Sequence, residues 1–203
     1  MLAGVIGAGK SSIPGSALTD AGLSWYNPDD MARQLQQEFP LMPLGEVNSA
    51  AWHEGVARLS HAIGEDEDYN FETTLGGRTI TNLLLDAMAL GLDVRLWYCG
   101  LATPELHIER VAARVARGGH DIPEDLIRAR IKRSMSNLCR LAPGLKRLDV
   151  IDNSQPLDAE GQPALERLLR MQDGALVQLA DPMPDWAKPI ATVCLLQHRK
   201  RRG

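Results

Sequence analysis

The sequence predicts an α/β protein of the P-loop NTPase type: a mostly parallel sheet with helices on both faces and a helical, arginine-bearing lid. Three observations predict it. The chain opens on Gly4-Val-Ile-Gly-Ala-Gly9-Lys10-Ser11, the G-x-x-x-x-G-K-S spacing of a phosphate-binding loop. Short runs of branched and aromatic residues alternate with longer stretches of helical periodicity, as strands joined by crossover helices do. Arginines recur at intervals of three and four, as in Arg110, Arg114 and Arg117, which aligns them on one helix face.

Taken in order, Met1 to Ala3 can supply only the last part of a strand before the glycine loop. The expectation is a frayed or edge-weakened first strand, or a true start further upstream. Pro14-Gly15 falls early in the helix that should follow and would distort it or restart it near Ser16. Leu23 to Tyr26 reads as a short strand ending at Asn27-Pro28-Asp29-Asp30, where proline removes a ladder donor. Asp29 or Asp30 would cap a helix beginning at Met31. Trp52, Val56, Leu59 and Ile63 recur at helical spacing, so 49–63 reads as an amphipathic helix. An acidic loop, Glu65 to Asp68, leads into a strand over Tyr69 to Thr74.

The next helix runs through Leu83, Leu84, Ala87 and Met88 and stops at Gly91. Asp93 to Cys99 is the clearest strand, rich in branched and aromatic residues. Thr103-Pro104-Glu105 supplies a cap, a first-turn proline and an acid, the chemistry of a helix start. That helix is expected to end at Gly118-Gly119, and Ile122-Pro123-Glu124-Asp125 opens another. Leu148 to Ile151 reads as a strand leading to Asp152-Asn153-Ser154, and a helix–strand pair is expected up to about Ala180. Arg199 to Arg202 reads as a disordered tail. The organisation expected is a kinase-like domain over 1–180, with its lid at about 104–140, and a C-terminal extension over 181–203.

Composition narrows the function. At 203 residues, 44% hydrophobic and 24% charged, the chain can bury an ordinary globular core. Aromatic residues are only 4%, which argues against a base-stacking platform or an aromatic cage. No apolar run approaches the roughly 20 residues that cross a bilayer, and the start lacks a signal-peptide pattern. Cys99, Cys139 and Cys194 are scattered; they fit reduced, buried thiols in a cytoplasmic protein better than a disulfide framework. The net charge is -4, yet 108–147 holds ten Lys or Arg against four Asp or Glu. A local basic segment in an acidic chain suits a small polyanion rather than nucleic acid, and no membrane partner is expected.

The motifs specify the polyanion. Backbone N–H groups of Gly4, Gly7, Ala8 and Gly9 can curl around phosphates, Lys10 can reach the terminal ones, and Ser11, followed by Ser12, can ligate Mg²⁺. Asp29, at a strand exit, is a candidate base for a substrate hydroxyl. Glu72, Thr73 and Thr74 place polar groups where a strand meets the ligand edge, to bind substrate or to cap the next helix. Arg110, Arg114 and Arg117, then Arg130 and Arg133, flank a Gly118-Gly119 hinge like a lid closing over phosphates, where arginine stabilises transition-state charge. His120 could orient a phosphate or cap the second lid helix; His53, His61 and His107 carry no stronger signal.

The ordered series GVIGAGKSS, NPDDMA, NFETTLGG, RVAARVARGGHDIPEDLIRAR and VIDNS resembles the zeta-toxin family of P-loop kinases, over roughly Met1 to Ser154. The resemblance implies transfer of the γ-phosphate of ATP to a hydroxyl of a small molecule. In the family's best-known toxins that molecule is UDP-N-acetylglucosamine, so a nucleotide sugar is the acceptor implied. It further implies that Lys10 and Ser11 hold ATP and Mg²⁺, that Asp29 is the base, and that Glu72 and Thr73 meet the substrate. Arg114 and Arg117 would serve the donor phosphates, and any antitoxin would be a separate protein. Two other readings stay open: a nucleotide-dependent binding module or hydrolytic switch, and a degenerate homologue that binds nothing.

Overall fold

A computed structural model describes residues 1–10, 25–117, 121–156 and 163–202. In chain order its elements are β1 (Leu2–Ala3), α1 (Pro28–Glu38), α2 (Leu44–Glu65), β2 (Glu72–Thr73), α3 (Arg78–Ala89) and β3 (Arg95–Gly100). Then come α4 (Pro104–Val115), α5 (Glu124–Leu141), β4 (Arg147–Asp152), β5 (Glu166–Gln172), β6 (Ala175–Leu179) and α6 (Lys188–Arg202). The strands form one sheet in the order β2-β1-β3-β4-β5-β6. Pairing is parallel from β2 to β4 and antiparallel through β5 and β6. The mixed α/β architecture expected from the sequence is the one observed.

Burial along β4 shows why helices must cover the sheet. Leu148, Asp149, Val150, Ile151 and Asp152 are all buried rather than alternating, the signature of a strand shielded on both faces. The main core joins β3 and β4 to Leu59 of α2, Leu84 and Ala87 of α3, Leu138 and Leu141 of α5, and Ile190 and Cys194 of α6. A smaller cluster of Val111, Ile122 and Ile127 fastens α4 to α5 beside the glycine loop, through Ile6.

The first strand departs from expectation. It is short, but it is interior: Leu2 pairs with Glu72 on one side and Trp97 on the other. Met1 O accepts from Trp97 N at 3.1 Å and Gly4 N donates to Thr73 O at 3.2 Å, so flanking residues extend the ladder. Two neighbours and a buried Leu2-Ala3 pair, rather than strand length, hold it in place.

Other boundaries move for local reasons. Helix α1 starts at Pro28, with Asn27 as its cap: Asn27 Oδ1 accepts from Asp29 N at 2.9 Å. Neither Asp29 nor Asp30 is the cap, because extended backbone at Asn27 followed by proline is the better helix start. Trp52 is exposed; Val47, Ala51, Leu59 and Ala62 form the buried stripe of α2 instead. The expected strand at 69–74 contracts to Glu72–Thr73, preceded by a single bridge between Phe71 and Tyr26. Leu23 and Ser24, and the Pro14-Gly15 pair, lie outside the described residues.

The largest correction concerns the C-terminal third. Where a helix–strand pair was expected up to Ala180, residues 166–179 form the β5–β6 hairpin. Its turn is Asp173-Gly174, both at positive φ (51° and 72°), as the two-residue hairpin turn requires. Arg199 to Arg202 is no disordered tail but the end of α6, whose Ile190 and Cys194 are buried in the main core.

Candidate nucleotide and acceptor site

The glycine loop leaves β1 at the carboxyl edge of the sheet, between the exits of β2 and β3, where ligands of open α/β folds collect. It is seated against the protein so closely that side chains are excluded. A Cβ at Gly4 would stand 2.4 Å from the Cys99 carbonyl oxygen, and one at Gly9, where φ is +78°, would stand 2.2 Å from Asn153 Nδ2. The Ala8 carbonyl is turned inward, accepting from Asn153 Nδ2 and from Cys99 Sγ, each at 3.0 Å. Burial pushes the Cys99 thiol up to about 12, so it serves as a neutral donor to the loop and not as a nucleophile.

Helix α4 braces the loop from the other side. His107, buried, bonds Ile6 O through Nδ1 at 2.8 Å; burial lowers its pKa and keeps it neutral with the proton on Nδ1. Arg110 Nη2 donates to Asn153 O at 2.7 Å, and its other amino nitrogen lies 3.7 Å from the place a Gly9 Cβ would take. Asp152, at the end of β4, is occupied structurally: its oxygens accept from Ser154 N at 2.6 Å and Trp186 Nε1 at 2.7 Å.

Lys10 is buried at the end of the loop, with Nζ 3.5 Å from Glu72 Oε1. Burial raises the Glu72 pKa; Lys10 pulls it back down, and the charges of Asp29 and Asp30 raise it further. Those causes place Asp29 in electrostatic reach of Glu72, although Asp29 itself is exposed in the first turn of α1. Thr73 Oγ1 accepts from Leu75 N at 3.1 Å, and Thr74 is half-buried beside it. Arg114 is half-buried on α4. Arg117, just past the end of α4, is exposed, its Nε donating back to Ala113 O at 3.1 Å. Ser11, Ser12, His120 and the Gly118-Gly119 hinge lie outside the described residues.

Thus Gly4 to Lys10, Glu72 and Thr73 converge at one edge of the sheet. Sequence reasoning placed Arg110 in a lid over the phosphates but passed over Asn153 and His107 as parts of this site. The i, i+3 spacing of His107 and Arg110, one helix beyond β3, is the signal that would have added His107. Two other cavities, of about 420 and about 160 Å³, are elsewhere: they are lined by residues such as Lys146 and Gly174, and Met1 and Arg95, at the opposite ends of the strands.

No protein-family model matches the sequence. A protein of Haemophilus influenzae, described only as uncharacterized, is 31% identical over 127 residues, which are 63% of this chain and 87% of that protein. This chain belongs to that protein's family. Solved structures extend the comparison to the fold. A chain of the AvrRxo1-ORF1:AvrRxo1-ORF2 complex with sulphate ions superposes with a TM-score of 0.62 at 16% identity, over 95% of this chain. The present chain spans 62% of that chain's length. The same complex with ATP gives 0.61. A chain from the PezAT toxin-antitoxin system of Streptococcus pneumoniae gives 0.51 at 16% identity, over 98% of this chain and 85% of that one. The chain therefore shares the α/β fold of these chains. No helix among the described residues is long and apolar enough to cross a membrane.

Proposed function

We propose that this protein is an ATP-dependent small-molecule kinase, transferring the γ-phosphate to a hydroxyl of a nucleotide sugar such as UDP-N-acetylglucosamine. The observation that carries the reading is the buried Lys10–Glu72 pair, in which a phosphate-loop lysine faces a carboxylate across adjacent strand exits. A site for nucleotide alone has no need of an acid there. A site that must also hold hydroxyls or amides of an acceptor does.

The loop fits a polyphosphate, because its glycines leave no room for side chains and its Ala8 carbonyl is turned away from the ligand side. ATP, when bound, supplies the transferable phosphoryl group. Gly4 to Lys10 would hold its phosphates, and the Ser11 hydroxyl, with Ser12 beside it, offers the hard oxygen ligation Mg²⁺ takes. Lys10 would then exchange Glu72 for phosphate, freeing the carboxylate to accept hydrogen bonds from the acceptor, alongside Thr73 and Thr74. Asp29 would take the acceptor's proton. Arg114 and Arg117 would neutralise charge on the transferred group, and His120 would orient it. A separate antitoxin protein is the partner that the toxin-antitoxin likeness suggests.

The test is incubation with Mg-ATP and a panel of nucleotide sugars, followed by ³¹P NMR. A new phosphomonoester resonance names the acceptor. ADP and inorganic phosphate alone, at the same rate with and without sugar, would mean a hydrolytic switch.

A further inference from the structure

We infer that Ser134 and Asn137, buried side chains of α5, are positioning residues for the acceptor: they hold Thr73–Gly77 in the shape that presents Glu72 and Thr73 to it. The inference rests on the kinase reading for what the loop presents, while the clamp itself is geometric.

Ser134 and Asn137 are three apart and so share a face of α5. Ser134 Oγ donates to Thr74 O at 2.8 Å. A hydroxyl has one proton, so the Tyr98 hydroxyl, 3.0 Å from Ser134 Oγ, must donate to it. Asn137 Nδ2 donates to Leu75 O at 2.9 Å and to Gly77 O at 3.1 Å, bridging two carbonyls of the turn with one amide. Between them Leu75 is held at φ 52° with its side chain buried. A left-handed backbone is unfavourable for leucine and persists only where its surroundings impose it. Three clamped carbonyls and an inserted side chain impose it here.

The clamp is rigid because it stands on the core. Leu138 and Leu141, on the same half of α5, are fully buried. Among the described residues the side-chain hydrogen bonds of Ser134 and Asn137 go to the acceptor loop and Tyr98, whereas His107, Arg110 and Asn153 bond around the nucleotide loop. The two loops are therefore held by separate sets of residues. That separation predicts a separable phenotype.

Ser134→Ala, Ser134→Thr and Asn137→Asp are made in the full chain. Three quantities are measured: hydrogen exchange over residues 72–78, the Kd of a non-hydrolysable ATP analogue, and acceptor KM and kcat. Ser134→Ala frees one loop carbonyl and should speed exchange in the loop and raise the acceptor KM, each about tenfold; Asn137→Asp frees two and should do more, with nucleotide Kd within about twofold of wild type in both. Ser134→Thr, which keeps the hydroxyl, should restore what Ser134→Ala loses. If Asn137→Asp does not fold, the Ser134 pair carries the test. Unchanged loop exchange removes the clamp, whatever the kinetics. Nucleotide Kd and acceptor KM rising together, or a loss in kcat alone, overturns the separate role. A wild-type protein that phosphorylates no acceptor while loop exchange responds as described removes the kinase reading and leaves the clamp standing.

Discussion

Lys10 and Glu72 form a buried ion pair, Nζ to Oε1 at 3.5 Å, with each side chain only 9% exposed. The pair joins the end of the glycine loop to the neighbouring strand β2 and, with the Gly4 N–Thr73 O bond, ties the proposed nucleotide and acceptor sides together. A ligand that binds only the folded state at 100 times its Kd stabilises it by about 2.7 kcal/mol. For a chain of this size that raises Tm by roughly 5–10 °C. Wild type should show this shift with Mg-ATP. Lys10→Ala should show little of it. An undiminished shift in Lys10→Ala, read by thermal unfolding with and without nucleotide, would remove Lys10 from phosphate binding.

Asp29→Asn separates binding from chemistry. The side chain is exposed at the first turn of α1 and is neither the helix cap nor part of an ion pair among the described residues, so stability should hardly change. Nucleotide affinity should persist, while transfer to the acceptor falls by about 10²–10⁴, the contribution typical of a general base. Wild-type turnover in the variant would assign the proton to another group.

Gly9→Ala and Gly64→Ala should act in opposite directions. At Gly9 the new methyl meets Asn153 Nδ2 at 2.2 Å in a left-handed backbone, so the Asn153–Ala8 bond breaks and nucleotide affinity drops. At Gly64, inside α2, an added Cβ meets nothing within 4 Å. There alanine should stabilise by about 0.5–1 kcal/mol through helix propensity. Chemical denaturation of both variants checks the signs; destabilisation at Gly64 would contradict the open space beside it.

What could be read in the sequence was what is local. The glycine loop, the Thr103 cap, whose Oγ1 accepts from Leu106 N at 3.2 Å, and the β3 and β4 strands are each specified within a few residues. The interior place of β1 was not legible, because its partners Glu72 and Trp97 lie some 70 to 95 positions away. Asn153, Ser134 and Asn137 were hidden for the same reason: they act by bonding backbone carbonyls of distant segments. The β5–β6 hairpin is a different case. Asp173-Gly174 between apolar runs is a local turn signal, and assigning a helix there overlooked it.

Asp149 pins that hairpin to the parallel sheet. Fully buried on β4, it is met by Arg147 Nε at 2.6 Å, Arg170 Nε at 2.7 Å and Arg167 Nε at 2.9 Å. Arg170 faces it directly across the antiparallel pair. Removing one partner from a buried ion pair costs about 3–5 kcal/mol. The arginines here are 23–42% exposed and can rehydrate, so Asp149→Ala should cost about 2–3 kcal/mol. Asp149→Asn, which keeps an acceptor oxygen, should cost less. Urea titrations of the two variants decide it, and equal costs would mean that the charge, not an acceptor oxygen, is what the site needs.

His107 makes stability depend on pH. Burial, the main cause, lowers its pKa in the folded protein below the ordinary 6.5, and the charges of Lys10 and Arg110 add to the effect. The hydrogen bond to Ile6 O opposes it without cancelling it. With a folded pKa below the unfolded one, the unfolded chain takes up the proton first as pH falls. The contribution of neutral His107 is therefore complete above pH 6.5 and is lost progressively as pH drops from there towards the folded pKa. Protonation would also put a buried charge beside Lys10 and Arg110, so the loop itself should loosen. His107→Asn can still donate to Ile6 O but cannot titrate. Thermal midpoints measured from pH 7.5 to 5.5 should fall less steeply for this variant than for wild type, and nucleotide affinity should follow the same pattern. Parallel pH profiles for the two proteins would show that the acid sensitivity originates elsewhere.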